Sequence, residues 1–295
     1  MRRKSWQRGA LLYSATAVLA IWILGPILWA VNASFQTDNE LFSVPPQWIP
    51  ENPTLDNYKY IITKVPPPIY QGGEMGRRAA GDVLMIGRAM QNSVIVASLT
   101  ALLNLSITVP AAYAFSRMKF IGRNISFGFI MLSRLIPAIA LAIPIFIVVK
   151  EIGLLDTYPA LILVYLAFTL PFTIWFMARY FDHVPPEIED AALIDGCTRL
   201  GALRRIVIPL TLPGIAATGA VAFIFAYSEF LFAVLLTKTM ATRTVPVVLT
   251  SAAINHDVSY ALATTALVLS IIPPIAFALI FRKYITRGLG QAFSI

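Results

Sequence analysis

Apolar stretches of twenty or more residues, separated by short polar turns, organise this chain from end to end. They lie at about 10–31, 90–115, 125–149, 158–178, 208–236 and 260–281. A helix rises about 1.5 Å per residue, so about 20 apolar residues cross a hydrocarbon core about 30 Å thick. Each of the six stretches is therefore predicted to be one membrane-spanning helix. Most carry proline inside: Pro26, Pro110, Pro137 with Pro144, Pro171, Pro213, and Pro273 with Pro274. Membrane helices are generally richer in proline than soluble ones, which accounts for part of this. The remainder marks kinks, tolerated where a neighbouring helix or a water-filled cavity takes up the freed backbone groups. The predicted class is all-α integral membrane. Segment 1–34 holds the N-terminus and first helix, 35–88 an extracytoplasmic loop, 89–284 a five-helix core with a charged loop at 185–214, and 285–295 a tail.

Composition agrees with that pattern. Of 295 residues 58% are hydrophobic and 13% charged, with a mean hydropathy of +0.73, values a soluble domain of this size would struggle to keep in solution. The net charge of +8 comes from bases at the short turns, among them Arg2, Arg3, Arg117, Arg123, Arg204, Arg205, Arg282 and Lys283. Placing these inside gives cytoplasmic termini, leaving Lys59, Lys64, Arg77, Arg78 and Arg88 in the long outer loop, where charge counts little. Anionic lipid and topology thus explain the basic balance, and nucleic acid is excluded as a partner. The opening MRRKS and apolar run resemble a signal peptide, but the run is about twice an ordinary signal core, so an uncleaved anchor is expected.

Catalytic chemistry is sparse. The single cysteine, Cys197, has no internal partner, and His183 and His256 are far apart, so no metal constellation is expected. No lysine follows a glycine, which rules out a P-loop in this chain. No Ser/His/Asp arrangement has a recognisable local signature either. The chain is expected to be no enzyme, and any ATP hydrolysis that drives it belongs to another chain.

Segment 185–214 is the charged exception. Pro185 and Pro186 open a helix, and Glu187, Glu189 and Asp190 follow where the helix dipole favours negative charge by roughly 0.3–1 kcal/mol each. Ile188, Ala191, Ala192 and Asp195 share a stripe of mostly small residues, Gly196 stops the helix, and a second, basic helix with Arg199, Arg204 and Arg205 is predicted from Thr198 to Pro209. Asp190-Ala191-Ala192, Gly196, Ile206, Ile208 and Pro209 resemble the EAA signature of permease subunits in bacterial ABC importers, with Asp190 for the usual Glu and Ile208 for the usual Leu. The resemblance implies the type I importer permease fold. It also implies that this loop docks into a cleft of a cytoplasmic ATPase, with Glu187, Glu189, Asp190, Ala191, Ala192, Asp195, Gly196, Arg199 and Arg204 as the coupling set.

The likeness extends through the chain. Trp48-Ile49-Pro50, Thr54-Leu55 with Asn57-Tyr58, Asn92-Ser93, Ala111-Ala112-Tyr113-Ala114, the run from Gly153 to Thr157, Ser228-Glu229-Phe230, Thr244-Val245-Pro246 and Arg287-Gly288-Leu289 are similar to carbohydrate-uptake permeases of the maltose type, most of all the six-helix G-type subunit. The chain departs from that pattern after Leu289, ending without the glycine- and lysine-bearing tail. The resemblance implies a bacterial inner-membrane heterodimer with a second permease, two ATP-binding subunits that hold ATP and Mg, and an extracytoplasmic solute-binding protein. Closure of the ATPases would switch the bundle from inward-open to outward-open. No cofactor is expected in this chain. The outer loop, with Pro45, Pro46, Pro66–Pro68 and then Gly72, Gly73 and Gly76, reads either as a partner surface or as a solvated connector.

Charge inside the membrane costs roughly 2.5–3.5 kcal/mol on insertion scales, so Arg134 and Glu229 need protein or water beside them. Asn104, Arg134, Tyr227, Ser228 and Glu229 are the candidates for a translocation path, and Ser93, Thr100 and Thr108 share a stripe with Asn104. Two readings stay open for them: a polar route for solute, or hydrogen bonds to their own and neighbouring helices. The rival class is a secondary transporter driven by an ion gradient, for which paired repeats with midplane ionisable groups would be expected; no convincing repeat is visible.

Overall fold

Two parallel helices locked in register set out the larger part of the molecule. The computed structural model describes residues 2–70, 81–254 and 258–293, so Gly72, Gly73, Gly76, Arg77, Arg78 and His256 lie outside the described residues. Among the described residues the α-helices are α1 (Arg2–Ser34), α2 (Asp38–Leu41), α3 (Asp56–Thr63), α4 (Ile86–Arg117), α5 (Arg123–Leu132), α6 (Ala138–Glu151), α7 (Tyr158–Asp182), α8 (Pro186–Ile194), α9 (Arg199–Ala202), α10 (Ile208–Ser228), α11 (Leu231–Leu236), α12 (Val245–Ile254) and α13 (Tyr260–Phe293). They divide into two units: residues 1–87 with 248–272, and residues 88–247 with 273–295.

In the second unit α4 and α7 pair along their lengths. Tyr158 donates its hydroxyl to Asn92 Oδ1 at 2.7 Å, Asn104 Nδ2 reaches Thr169 Oγ1 at 3.0 Å, Thr108 meets Thr173 at 2.9 Å, and Ser116 bonds Asp182 at 2.6 Å. The sequence offset is 65 or 66 throughout, so the helices run in the same direction. From 92 to 116 is 24 residues, about 36 Å of helix, enough to cross a bilayer. The chain must then return across the membrane between Arg117 and Tyr158.

The return is the broken pair α5 and α6. The stretch 125–149, predicted as one helix, bends by 97° between Arg123–Leu135 and Ala138–Glu151. The cause is local: a proline ring clashes with an α-helical residue before it, and Ile136, preceding Pro137, sits at φ −75°, ψ 120°. Among the described residues five helices are long and apolar enough to span, and six when the bent pair is taken as one crossing.

Helix α10 runs antiparallel to α7. The contacts Gly214–Tyr180, Thr218–Met177, Phe225–Phe172 and Phe232–Phe168 step in opposite directions along the two segments. Gly214 permits the closest approach, because a Cβ there would lie 2.5 Å from the Tyr180 ring. The basic helix predicted to stop at Pro209 instead runs on as one helical span, Arg199–Ser228. Pro209 has no N–H and its ring would press on the carbonyl four residues back; the π turn at Leu203–Val207 relieves this without ending the helix. The same apolar stretch does break later, where Glu229 leaves the helix at φ −69°, ψ 129° before α11 begins.

The turn after α6 carries a second tie. Asp156 accepts the N–H groups of Lys238 (2.8 Å) and Thr239 (3.1 Å) and the hydroxyls of Thr239 and Thr242. Burial pushes its carboxyl upward, but these donors outweigh it and hold the group well below the usual carboxylate range.

The first unit folds part of the segment after α1 onto helix ends. Asn57 is fully buried; its Nδ2 donates to the carbonyls of Ser34 and Gln36, and its Oδ1 accepts from Tyr70 at 2.6 Å. Tyr58 pairs with Ser34 at 2.7 Å, and Asp38 accepts the Ala261 N–H at the start of α13. The α1 span Leu12–Ser34 is otherwise little covered by protein, as expected of a helix that meets lipid.

Candidate functional site

Both helix breaks of the second unit open onto one cavity. Arg134 comes from the turn that ends α5, Ala138 from the start of α6, Tyr165, Phe168, Thr169 and Phe172 from α7, Phe225 and Ala226 from α10, and Glu229 and Phe232 from the break before α11. The cavity is partly open and its volume is about 140 Å³. Its lining is mainly aromatic, with Phe168 against Phe232 at 4.8 Å and Phe172 edge-on to Phe225 at 6.2 Å.

The two charges are seated differently. Glu229 accepts the backbone N–H groups of Phe232 (2.9 Å) and Ala233 (3.1 Å), so it caps α11 and its charge is offset by free donors of that helix end. Arg134 donates Nη1 to the Phe168 carbonyl at 2.7 Å, and the residue is otherwise exposed. The cavity therefore offers a guanidinium among aromatic faces.

Of the sequence-proposed path residues, Arg134 and Glu229 meet at this cavity. Asn104 is fully buried, bonded to Thr169 and accepting from Thr108 at 3.1 Å. Tyr227 is buried and stacked on Phe223 at 5.9 Å, while Ser228 bonds back to the Ile224 carbonyl. Sequence reasoning missed the aromatic lining. The available signal was the four-residue spacing of Phe168 and Phe172, one helical face of an apolar run.

The charged segment builds a second feature. Pro186 starts α8, and its end is a Schellman turn: Gly196 at φ +87° donates to the Leu193 carbonyl and Cys197 to that of Ala192, at 3.1 and 2.9 Å. Thr198 then caps α9 by accepting the Gly201 N–H at 3.1 Å. Glu187, Asp190, Ala191, Asp195, Gly196, Arg199 and Arg204 are exposed, and Ile194 is 86% exposed. Glu189 and Ala192 face inward, each 6% exposed. Beneath them Tyr113, Met177, Phe181, Leu203 and Val207 form a buried apolar cluster. The small-residue stripe read from sequence is thus split, with Ala191 outside and Ala192 inside. No group of three or more metal-ligating side chains is present among the described residues.

Residues 104–291 match the family described as binding-protein-dependent transport system inner membrane component. The chain is 33% identical over 290 residues to the trehalose/maltose transport system permease protein MalG of Thermococcus litoralis, covering 98% of this chain and 97% of that protein. It is 32% identical over 279 residues to the sulfoquinovosyl glycerol transport system permease protein SmoH of Agrobacterium fabrum (95% and 91%). The trehalose transport system permease protein SugB of Mycobacterium tuberculosis is 32% identical over 280 residues (92% and 94%). In fold it is similar to a chain of a bacterial ABC transporter involved in the import of the acidic polysaccharide alginate, with a TM-score of 0.75 at 21% identity over 96% of this chain and 98% of that one. A bacterial alginate ABC transporter in complex with an alginate pentasaccharide-bound periplasmic protein gives 0.64 at 16% identity, covering 94% of each chain. The apolar helices, their two breaks and the capped loop between α7 and α10 accordingly belong to a multi-pass inner-membrane permease, a member of the binding-protein-dependent transport system inner-membrane component family.

Proposed function

We propose that this permease carries a carbohydrate or a related polar solute as one subunit of an ATP-driven importer, with α8 as the element that docks on the ATPase. The observation that carries this reading is the exposed face of α8, where Glu187, Asp190, Ala191 and Ile194 are presented on a helix fixed by Pro186 at one end and the Gly196 turn at the other. A short rigid helix with acidic and small side chains outward suits insertion into a cleft of a separate protein. ATP and Mg belong to two such ATP-binding subunits. A second permease completes a heterodimer, and a solute-binding protein delivers from the extracytoplasmic side. The distribution of basic residues supports a cytoplasmic location for both termini and α8.

Three of the similar permeases are named for sugars or sugar derivatives. The cavity suits such a solute: ring C–H faces pack on Phe168, Phe172 and Phe225, while hydroxyls meet Arg134. Co-reconstitution with the second permease, the ATPase and the binding protein tests the whole reading. Uptake that requires both internal ATP and the external loaded binding protein is expected. Uptake driven by an ion gradient without ATP contradicts it.

A further inference from the structure

Of the charged residues on α8, Glu189 alone is buried. Its carboxylate accepts Arg117 Nε–H at 2.7 Å and the Tyr113 hydroxyl at 3.0 Å. Both donors lie on the last turns of α4. Arg117 turns its Nη2 to the carbonyls of Phe181, in the last turn of α7, and Val184, just before the two prolines that open α8. One guanidinium therefore holds the ends of α4, α7 and α8 together, in the position where a cation is favoured by carbonyls left free at a helix C-terminus. A buried ion pair with this many hydrogen bonds resists separation, because parting it strands a charge away from water.

The link from α8 in the other direction is different. Gly196 has nothing within 4 Å of where a Cβ would stand, and Cys197–Thr198 lead on to α9, which packs against α8. The contrast is between a charged, hydrogen-bonded joint to α4 and a turn held by backbone bonds and packing.

We infer that Glu189 and Arg117 are positioning residues: they form the joint that delivers movement of α8 to α4. Because Asn104–Thr169 and Thr108–Thr173 bind α4 to α7, the two helices move as one, and α7 carries Tyr165, Phe168 and Phe172 of the cavity wall. The inference rests on the reading of α8 as the ATPase-docking helix and assigns Glu189 a task inside the permease, apart from the docking face.

Spin labels at Lys119→Cys and Ile188→Cys, both exposed sites away from the docking face, in a Cys197→Ser background report the joint directly in the assembled importer. Their distance distribution is expected to be the same with and without bound ATP; a shift between the two states in this otherwise unaltered joint overturns the inference. In Glu189→Gln, stimulation of ATP hydrolysis by the loaded binding protein should fall about tenfold while the ATPase still co-purifies, a loss within the usual range for coupled sites. Arg117→Lys should fall likewise, since one ammonium cannot span the carboxylate and both carbonyls. Wild-type stimulation in Glu189→Gln overturns the joint and leaves docking intact. Failure of the ATPase to co-purify with the unaltered chain overturns the docking reading, and the joint with it. If Glu189→Gln does not assemble, the label distances alone decide.

Discussion

Asn104 donates to Thr169 at 3.0 Å, and one turn further on Thr108 meets Thr173 at 2.9 Å, so two helices 65 residues apart in sequence are fastened at the same height. In an apolar surrounding such bonds are modest, averaging about 0.6 kcal/mol and reaching about 1.7. Asn104→Ala is therefore expected to lower the stability of the solubilised permease by about 1 kcal/mol. Because the amide is buried in the helix contact, the half-saturating solute concentration for uptake should stay unchanged. Thermal unfolding and uptake kinetics on the same variant check both halves.

Gly214 faces the Tyr180 ring with no room for a methyl group. Gly214→Ala should destabilise by about 1–3 kcal/mol, the usual cost of overpacking. Tyr180→Leu in the same chain removes the opposing ring and should recover part of that loss, which a thermal-shift comparison of the single and double variants reads.

Gly196 sits at φ +87°, where a β-branched side chain is strained even though the surrounding space is open. Gly196→Val should cost about 1–2 kcal/mol locally and disturb the Schellman turn. The expected signature is an importer that reaches the membrane in normal amount yet hydrolyses ATP with little uptake. Normal uptake by this variant would remove the turn from the mechanism.

Asp156 is charged in the fold well below the pH at which a free carboxyl protonates, because four donors converge on it. Its depressed folded value means that the contribution is complete at neutral pH. It begins to be lost as pH falls below about 3.9, the ordinary carboxyl value, and continues downward toward the folded value. Hydrogen exchange at the Lys238 and Thr239 amides should be slow at pH 7 in the wild type and faster in Asp156→Asn. After correction for intrinsic rates, the difference between the two proteins should begin to narrow as the pH falls below about 3.9 and should still be present at about pH 3.

Much of this fold is legible in the sequence because membrane helices announce themselves by length. The limits of that signal are equally physical. Pro137 marks a kink, but the 97° bend arises from the conformation it forces on Ile136. Pro209 looks like a boundary, yet a π turn absorbs it. The break at Glu229 has no proline at all; it exists because a carboxylate caps the next helix. The charged segment, its prolines and its Gly196 turn were readable as local chemistry. Which way α8 faces was not, since the partner that turns Glu189 inward is Arg117, 72 residues earlier. The cavity was half visible: Arg134 and Glu229 stood out as charges in apolar runs, whereas its aromatic wall looked like any other membrane helix.

The most direct measurement places the outer face of α8 against the motor it is held to serve. With Cys197→Ser and Ile194→Cys, a thiol cross-linker applied to the assembled importer should join this chain to the ATP-binding subunit, and a membrane-impermeant thiol reagent added outside intact cells should fail to label the site. Labelling from outside, or a complete complex in which Ile194→Cys finds no ATP-binding subunit within cross-linking reach, contradicts the account.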